Sequence, residues 1–211
     1  MTPIRTHRHP GGLAAVVASV LVATAIAAGT AVADPVASPV GAPAPVPYLD
    51  LDRYLGTWNQ LAAVPQYFNL LCARDTQATY ALDPQGNVSV HNRCTTWVNS
   101  LNEITGTATV NDRTTSAQLH VSFPGVPTQD GLEGPTNYIV TALGEAYSWA
   151  LVTDPSRISG FVLARDRVLD TAQWQQVRHA IDAVGQNSCL YLTSPTTGGR
   201  TDIAPLCAVT R

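Results

Sequence analysis

The sequence predicts an all-β fold: an eight-stranded antiparallel up-and-down β-barrel with one carboxy-terminal helix packed outside it and a short ninth strand. Three observations predict this class. Apolar and polar residues alternate with a period of two in most segments after Leu51. Turn-forming residues, such as those at 83–87 and 154–155, separate these segments. Residues 170–185 instead repeat their apolar side chains at helical spacing.

Eight segments have the pattern of half-buried strands. In one of them, Ile104, Ala108 and Val110 share a face and threonines occupy the opposite face. Because the connections are short, consecutive strands should pair antiparallel, and closure into a barrel removes the unpaired edges. A two-sheet sandwich with Greek-key connections is the alternative. The predicted strands are residues 57–64, 76–83, 87–94, 103–110, 117–123, 137–143, 147–153 and 158–165.

The predicted helix follows the last of these strands. The later strands are apolar on both faces, so another element must cover their outer side. Asp170 or Thr171 can cap the start of a helix and Gly185 can end it. Its apolar stripe consists of Trp174, Val177, Ile181 and Val184. The helix should therefore pack outside the barrel, before a short ninth strand near residues 189–195.

The amino-terminal residues have the features of an export signal. Arg5 and Arg8 precede an apolar run that ends in small residues at Ala33. This order is typical of a cleaved secretory signal peptide, residues 1–33. A retained membrane anchor is the alternative, since the run approaches the ~20 residues that span a bilayer. The Pro-rich residues 34–47 are expected to form a solvated spacer, and residues 48–211 the barrel domain.

The charge composition narrows the range of partners. All 12 basic residues are arginine. Without Arg5 and Arg8, ten basic residues stand against 15 acidic ones, a net charge of −5. Binding to nucleic acid needs basic patches that neutralise phosphates, so we expect no nucleic-acid partner. A net negative charge also gives little attraction to an anionic membrane, so we expect at most peripheral contact with a membrane surface.

The four cysteines, Cys72, Cys94, Cys189 and Cys207, predict two disulfide bonds, because an exported chain with an even cysteine count is typically oxidised. A reactive thiol, or a metal site using Cys94 and His91, is the weaker alternative. Cys72 and Cys94 fall at adjacent ends of one predicted hairpin. Cys189 and Cys207 flank a Gly-Gly turn symmetrically. The local pairing, 72–94 with 189–207, is therefore slightly favoured.

Three short motifs lie in order along the predicted strands. Gly56 and Trp58 enter the first strand, Thr153 and Asp154 join the seventh to the eighth, and Arg165 ends the eighth. In this order and spacing the motifs resemble those of the lipocalin family, a calycin-type fold, over about residues 50–194. The bacterial and apolipoprotein D-like members are the most similar.

The sequence also departs from these relatives in two respects. Asn59 stands where the family often has Tyr, and the cysteine to which bacterial outer-membrane members attach a lipid is missing. A secreted or cell-envelope location without a lipid anchor is therefore expected.

The resemblance gives the motif residues structural roles. It implies that Trp58 lies at the closed end of the barrel and that the Arg165 guanidinium stacks on its ring, a contact that contributes ~0.5–2 kcal/mol. Gly56 would allow the sharp turn into the first strand. Similarity to apolipoprotein D also implies a different disulfide pairing, 72–207 with 94–189.

The barrel and the resemblance together imply a carrier of small hydrophobic ligands. An eight-stranded barrel is just wide enough to hold one small ligand. We expect it to be carried or stored in the interior, and a lipid or fatty acid suits the apolar lining. A barrel filled by its own side chains is the alternative. The predicted pocket residues are Tyr80, Val90, Ile104, Ala108, Leu119, Val121, Phe123, Tyr138, Tyr147 and Trp149.

No catalytic motif stands out. His91, His120 and His179 follow the predicted signal peptide without a Ser-His-Asp order, paired carboxylates or metal-ligand spacing. We therefore expect no enzymatic activity, no metal and no cofactor. Two alternatives stay open: a lipocalin-fold enzyme acting on a lipid, and a secreted module that binds a protein through the loops at the barrel mouth. Trp97 and the loop 123–135 are the candidates for that mouth.

Overall fold

The structure, a computed structural model, describes residues 41–209. The predicted signal peptide, residues 1–33, lies outside these residues, as do the first part of the predicted spacer and the last two residues of the chain. Within the described range, no helix combines the length and the apolar character needed to cross a bilayer.

Eight strands follow the predicted order along the chain. They are β1 (Gly56–Ala63), β2 (Cys72–Leu82), β3 (Val88–Thr96), β4 (Leu101–Val110), β5 (Gln118–Ser122), β6 (Tyr138–Leu143), β7 (Trp149–Thr153) and β8 (Gly160–Ala164). Each pairs antiparallel with the next. β1 pairs with both β2 and β8 and closes the barrel. The predicted closed barrel is confirmed, and the two-sheet sandwich is excluded.

The two ends of the barrel differ in how the chain connects the strands. At one end the longer loops 64–71, 123–137 and 154–159 leave an opening. At the other end the chain passes beneath the barrel before it enters β1. There the short helix α1 (Leu51–Tyr54) is capped by Asp50, whose side chain accepts a hydrogen bond from the Arg53 backbone N–H over 3.3 Å.

The described end of the predicted spacer belongs to the barrel domain. Val46 and Leu49 are buried. The Val46 backbone N–H donates to the Val140 carbonyl over 2.9 Å, and the Leu49 N–H donates to the Thr115 carbonyl over 2.7 Å. The expectation of a solvated spacer is therefore wrong at Val46, because this apolar side chain, between Pro45 and Pro47, gains by covering the closed end.

The predicted outer helix is α2 (Thr171–Ala183). Asp170 caps it in a reciprocal capping box: its carboxylate accepts from the Gln173 N–H over 2.8 Å, and the Gln173 side chain accepts from the Asp170 N–H over 3.0 Å. Val177 and Ile181 are fully buried against the outer wall. Each such side chain contributes ~1.5–3 kcal/mol by burial, so this face holds the helix on the barrel.

The remaining chain closes against β1. The short strand β9 (Leu192–Thr193) pairs with Ala62 and Ala63, and the helical turn α3 (Leu206–Val209) follows. The two disulfide bonds join Cys72 to Cys94 and Cys189 to Cys207. The locally favoured pairing is thus confirmed, and the pairing implied by the apolipoprotein D resemblance is wrong.

Candidate functional site

The barrel encloses a cavity of about 480 Å³ that opens between the longer loops. This volume lies in the range of small-molecule sites, so the alternative of a barrel filled by its own side chains is excluded. Eight of the ten predicted pocket residues line the cavity. They are Tyr80, Val90, Ile104, Ala108, Leu119, Val121, Phe123 and Tyr138.

Trp149 is a correction to the predicted lining. Its side chain is buried outside the barrel, in the cluster that includes Leu151 and the helix residues Val177 and Ile181. The indole N–H lies 3.4 Å from the Gln176 side-chain oxygen. Because β7 is apolar on both faces, its period-two pattern does not reveal which face is inward. Ala150 and Val152 face the interior, and Trp149 does not.

Tyr147 also lies away from the cavity lining. It sits in the turn between β6 and β7 and packs beneath the barrel. Its hydroxyl accepts a hydrogen bond from the Asp50 backbone N–H over 2.9 Å, and the Arg53 guanidinium lies 4.2 Å from its ring centre. The prediction that Tyr147 lines the pocket is therefore wrong: the residue belongs to the closed end.

Trp58 and Arg165 form the centre of that closed end. Trp58 is fully buried, and the Arg165 guanidinium carbon lies 3.7 Å from the centre of its ring. The guanidinium donates to the carbonyl oxygens of Thr57, Arg53 and Leu55 over 3.0, 2.7 and 2.9 Å. All these contacts join parts of the chain to one another, so they close the barrel rather than face a ligand.

The other two motifs also occupy structural positions. Gly56 has a φ of +90°, which a residue with a side chain rarely adopts. Thr153 is buried at the end of β7. The Asp154 carboxylate accepts from the backbone N–H groups of Ser156 and Ser159 over 2.8 and 2.7 Å and so fixes the turn into β8.

A cluster of three phenols forms the cavity floor above Trp58. The Tyr138 hydroxyl lies 2.7 Å from that of Tyr54 and 3.1 Å from that of Tyr80. Burial raises the pKa of Tyr80 to about 12 and raises the pKa values of Tyr54 and Tyr138 well above 10.0, so all three stay neutral. The sequence pattern missed Tyr54, because it lies on a four-residue helix outside the strands.

Asn92 is a polar residue of the cavity wall that the sequence analysis also missed. Its side-chain oxygen is buried and has no hydrogen-bond partner among residues 41–209. Asn92 continues the inward series of Val88 and Val90 along β3, and this alternation is a signal that could have found it. The wall thus offers a ligand one unpaired amide oxygen.

The loop 123–137 is fixed to the outer wall by His120. This buried ring lies 2.8 Å from the Pro135 carbonyl through Nδ1 and 3.0 Å from the Gly131 carbonyl through Nε2. At the start of the loop, the Phe123 ring occupies the space that a side chain on Gly106 would fill. The loop therefore has a defined position beside the opening.

The cavity mouth carries exposed apolar side chains. Trp97 is 64% exposed, and its indole N–H donates to the Leu70 carbonyl over 2.9 Å, which joins the loops after β3 and β1. We call these side chains the mouth patch. Its members are Tyr67, Phe68, Leu70, Leu71, Trp97, Val98 and Leu101, all exposed.

The titratable side chains of the described residues form no catalytic arrangement. His91 pairs with Glu103 at 3.2 Å on the outer wall, where both side chains are exposed. Within residues 41–209, no three His, Cys, Asp or Glu side chains converge as metal ligands would. The absence of enzymatic activity remains a prediction.

Known proteins are similar to this chain in sequence and in structure. Residues 49–194 match the family described as lipocalin-like domain. The chain is 31% identical to temperature-induced lipocalin-1 of Arabidopsis thaliana over 131 residues, 61% of this chain and 69% of the relative. A lipocalin of Acanthamoeba polyphaga mimivirus is 29% identical over 137 residues, 61% of this chain and 74% of the relative.

Among solved structures, insecticyanin from the tobacco hornworm Manduca sexta superposes with a TM-score of 0.55 at 16% identity, over 76% of this chain and 92% of that one. This likeness concerns the fold alone. The family match, the closed barrel, its outer helix and the indole–guanidinium floor lead to one conclusion: the chain belongs to the lipocalin family.

Proposed function

We propose that this protein binds one small hydrophobic ligand inside its barrel and carries or stores it. The observation that carries the proposal is the cavity, which is largely apolar, closed at one end and open at the other. Membership of the lipocalin family supports the same function. The ligand is of the lipid or fatty acid class, and two disulfide bonds support a secreted or envelope location.

Burial of the ligand accounts for its binding. Each methylene removed from water contributes ~0.8 kcal/mol. About twelve buried methylenes give a gross gain of ~10 kcal/mol, which exceeds the ~4 kcal/mol or more that association costs. An acyl chain therefore binds in this cavity without a charged partner and without any chemical step.

A substitution that fills the cavity tests the proposal. Ala108 is buried in the wall, opposite Val88 and Val121, and Ala108→Phe should abolish the binding of an apolar fluorescent probe to delipidated protein. Thr105→Phe places the same ring on the exposed outer face of the same strand and should leave binding unchanged. Circular dichroism confirms that both variants fold.

Equal probe affinity in Ala108→Phe and the parent protein would contradict binding inside the barrel. Native mass spectrometry of protein purified from its own host gives a second measurement, with a co-purified hydrophobic molecule as the expected result.

The mouth patch supports peripheral contact with a membrane surface, from which such a ligand could be loaded. Tyr and Trp side chains are favourable at a membrane interface, and Leu side chains can be buried at its acyl boundary. We expect the protein to co-float with zwitterionic lipid vesicles. The double variant Leu70→Ser/Val98→Ser, at two exposed positions, should no longer co-float with them. A parent protein that binds the probe but stays in solution would contradict the contact and leave the carrier function standing.

A further inference from the structure

The phenol cluster, formed by Tyr54, Tyr80 and Tyr138, is a fixed group of hydroxyls at the deepest point of the cavity. Its members come from α1, β2 and β6. The rings of Tyr54 and Tyr80 stack with centres 5.6 Å apart, and the Tyr80 and Tyr138 rings meet edge to face at 6.5 Å. Trp58 packs against Tyr54 from below, with ring centres 5.0 Å apart. The hydroxyls are therefore held in place before any ligand arrives.

A count of hydrogens shows what the cluster offers. Three hydroxyls carry three hydrogens, and the two contacts to Tyr138 use two of them. Within residues 41–209, the three hydroxyls have no other hydrogen-bond partner. Whichever way the hydroxyls rotate, one O–H remains without an acceptor. A buried donor without a partner is unfavourable, so the floor is complementary to a group that accepts a hydrogen bond.

The guanidinium beneath the floor does not change this conclusion. Arg165 directs its donors at the carbonyl oxygens of Thr57, Arg53 and Leu55. Burial keeps the pKa values of the three phenols above the physiological range, so their hydrogens stay in place. The donor that faces a ligand is phenolic and uncharged.

We propose, on the basis of the carrier function above, that the ligand enters with its polar end first and that this end presents an oxygen acceptor, such as a carbonyl or carboxyl group, to the phenol cluster. A hydrocarbon fills the same apolar wall but leaves the free O–H unpaired. An acceptor at the inner end satisfies it, and the hydrocarbon tail then runs along the wall toward the mouth. The site thus selects long-chain molecules with an oxygen acceptor at one end.

A matched pair of ligands tests the proposal. A long-chain methyl ketone and the hydrocarbon of equal length compete with an apolar fluorescent probe for delipidated protein. We expect the ketone to bind about five- to tenfold more tightly, the contribution of one hydrogen bond. The variant Tyr54→Phe/Tyr80→Phe/Tyr138→Phe should bind both equally. Single Phe variants should keep the preference, because any one or two remaining phenols still leave a free hydrogen.

Tyr67 provides the control for orientation. Its phenol is exposed at the mouth and also borders the cavity. Tyr67→Phe should leave the ketone preference unchanged, and loss of the preference in this variant would place the polar end at the mouth and overturn the proposal. Equal binding of ketone and hydrocarbon to the parent protein would overturn the proposal but not the carrier function. If neither ligand nor the probe binds, both the proposed orientation and the carrier function are overturned.

A spectroscopic measurement covers the case in which the triple variant fails to fold. The carbonyl stretch of a ¹³C-labelled ketone is measured in complex with the parent protein and in a hydrocarbon solvent. Hydrogen bonding to a phenol lowers this frequency, so a shift to lower frequency is expected. A frequency equal to that in the hydrocarbon solvent would overturn the proposal.

Discussion

At the scale of single residues, Arg165 holds the closed end together by stacking and by three hydrogen bonds at once. Lysine keeps the charge but has no planar group to stack on Trp58 and no fork of donors. Arg165→Lys should therefore lower the free energy of unfolding by about 2 kcal/mol in urea titrations. Arg167→Lys, two residues later on the surface, serves as the control and should change it by less than ~0.5 kcal/mol.

Arg165→Lys should leave the affinity for an apolar probe nearly unchanged, since Arg165 does not line the cavity. A variant as stable as the parent protein would show that the stacked guanidinium contributes no net stability.

A substitution at Asn92 should raise the free energy of unfolding rather than lower it. The buried amide oxygen of Asn92 has no hydrogen-bond partner in the part of the chain that the structure describes, and such a group costs ~1–3 kcal/mol. Asn92→Leu should raise the unfolding free energy of the ligand-free protein by about 1 kcal/mol. Thr105→Leu, on the outward face of the neighbouring strand at an exposed position, should have little effect. A loss of stability in Asn92→Leu would show that the amide has a partner in solution.

At the scale of elements, β7 separates the cavity from the outer core. Trp149 packs on the side of α2 and bonds to Gln176. Trp149→Phe should lower the unfolding free energy by ~1–2 kcal/mol through lost area and a lost hydrogen bond, without changing probe affinity. Phe123→Leu alters the cavity lining instead and should change probe affinity. A change in probe affinity for Trp149→Phe would indicate that this indole lines the cavity, contrary to its position outside the barrel.

The same strand shows what the sequence could and could not predict. In β4 and β5 one face is polar, so the inward positions of Ile104 and Leu119 followed from alternation alone. In β7 both faces are apolar, because α2 covers the outer one, and the pattern gave the wrong face to Trp149. Tyr54 was missed because no periodicity exists in a four-residue helix. Alternation thus placed Tyr80 and Tyr138 in the cavity, whereas the third phenol of the floor, Tyr54, depends on a tertiary contact that no local pattern encodes.

At the scale of the whole molecule, the buried phenols make stability sensitive to alkaline pH. Burial raises the pKa of Tyr80 to about 12 from an ordinary 10.0 and also raises those of Tyr54, Tyr138 and Tyr191. An unfolded chain ionises its phenols first, so their contribution is complete below pH 10 and decreases as the pH rises toward 12 and beyond. Urea titrations between about pH 8 and 12 should show this loss.

Phenolate absorbance provides an independent measurement of the same effect. The buried phenols should ionise only together with unfolding. The triple Phe variant of the phenol cluster should lose less stability over this range than the parent protein does. Ionisation of all seven tyrosines in a chain that stays folded would contradict the buried positions.

The sealed floor of the barrel also constrains how cargo is handed over. Because Trp58 and Arg165 close one end, a ligand that enters with its polar end first must leave with its hydrocarbon tail first. The methylenes of the tail are the first groups to leave the opening, and each methylene that is exposed to water there costs ~0.8 kcal/mol. We therefore expect slow release of such a ligand into water. For the proposed carrier we therefore expect delivery by direct contact between the opening and a membrane or apolar acceptor, rather than by release into water and recapture.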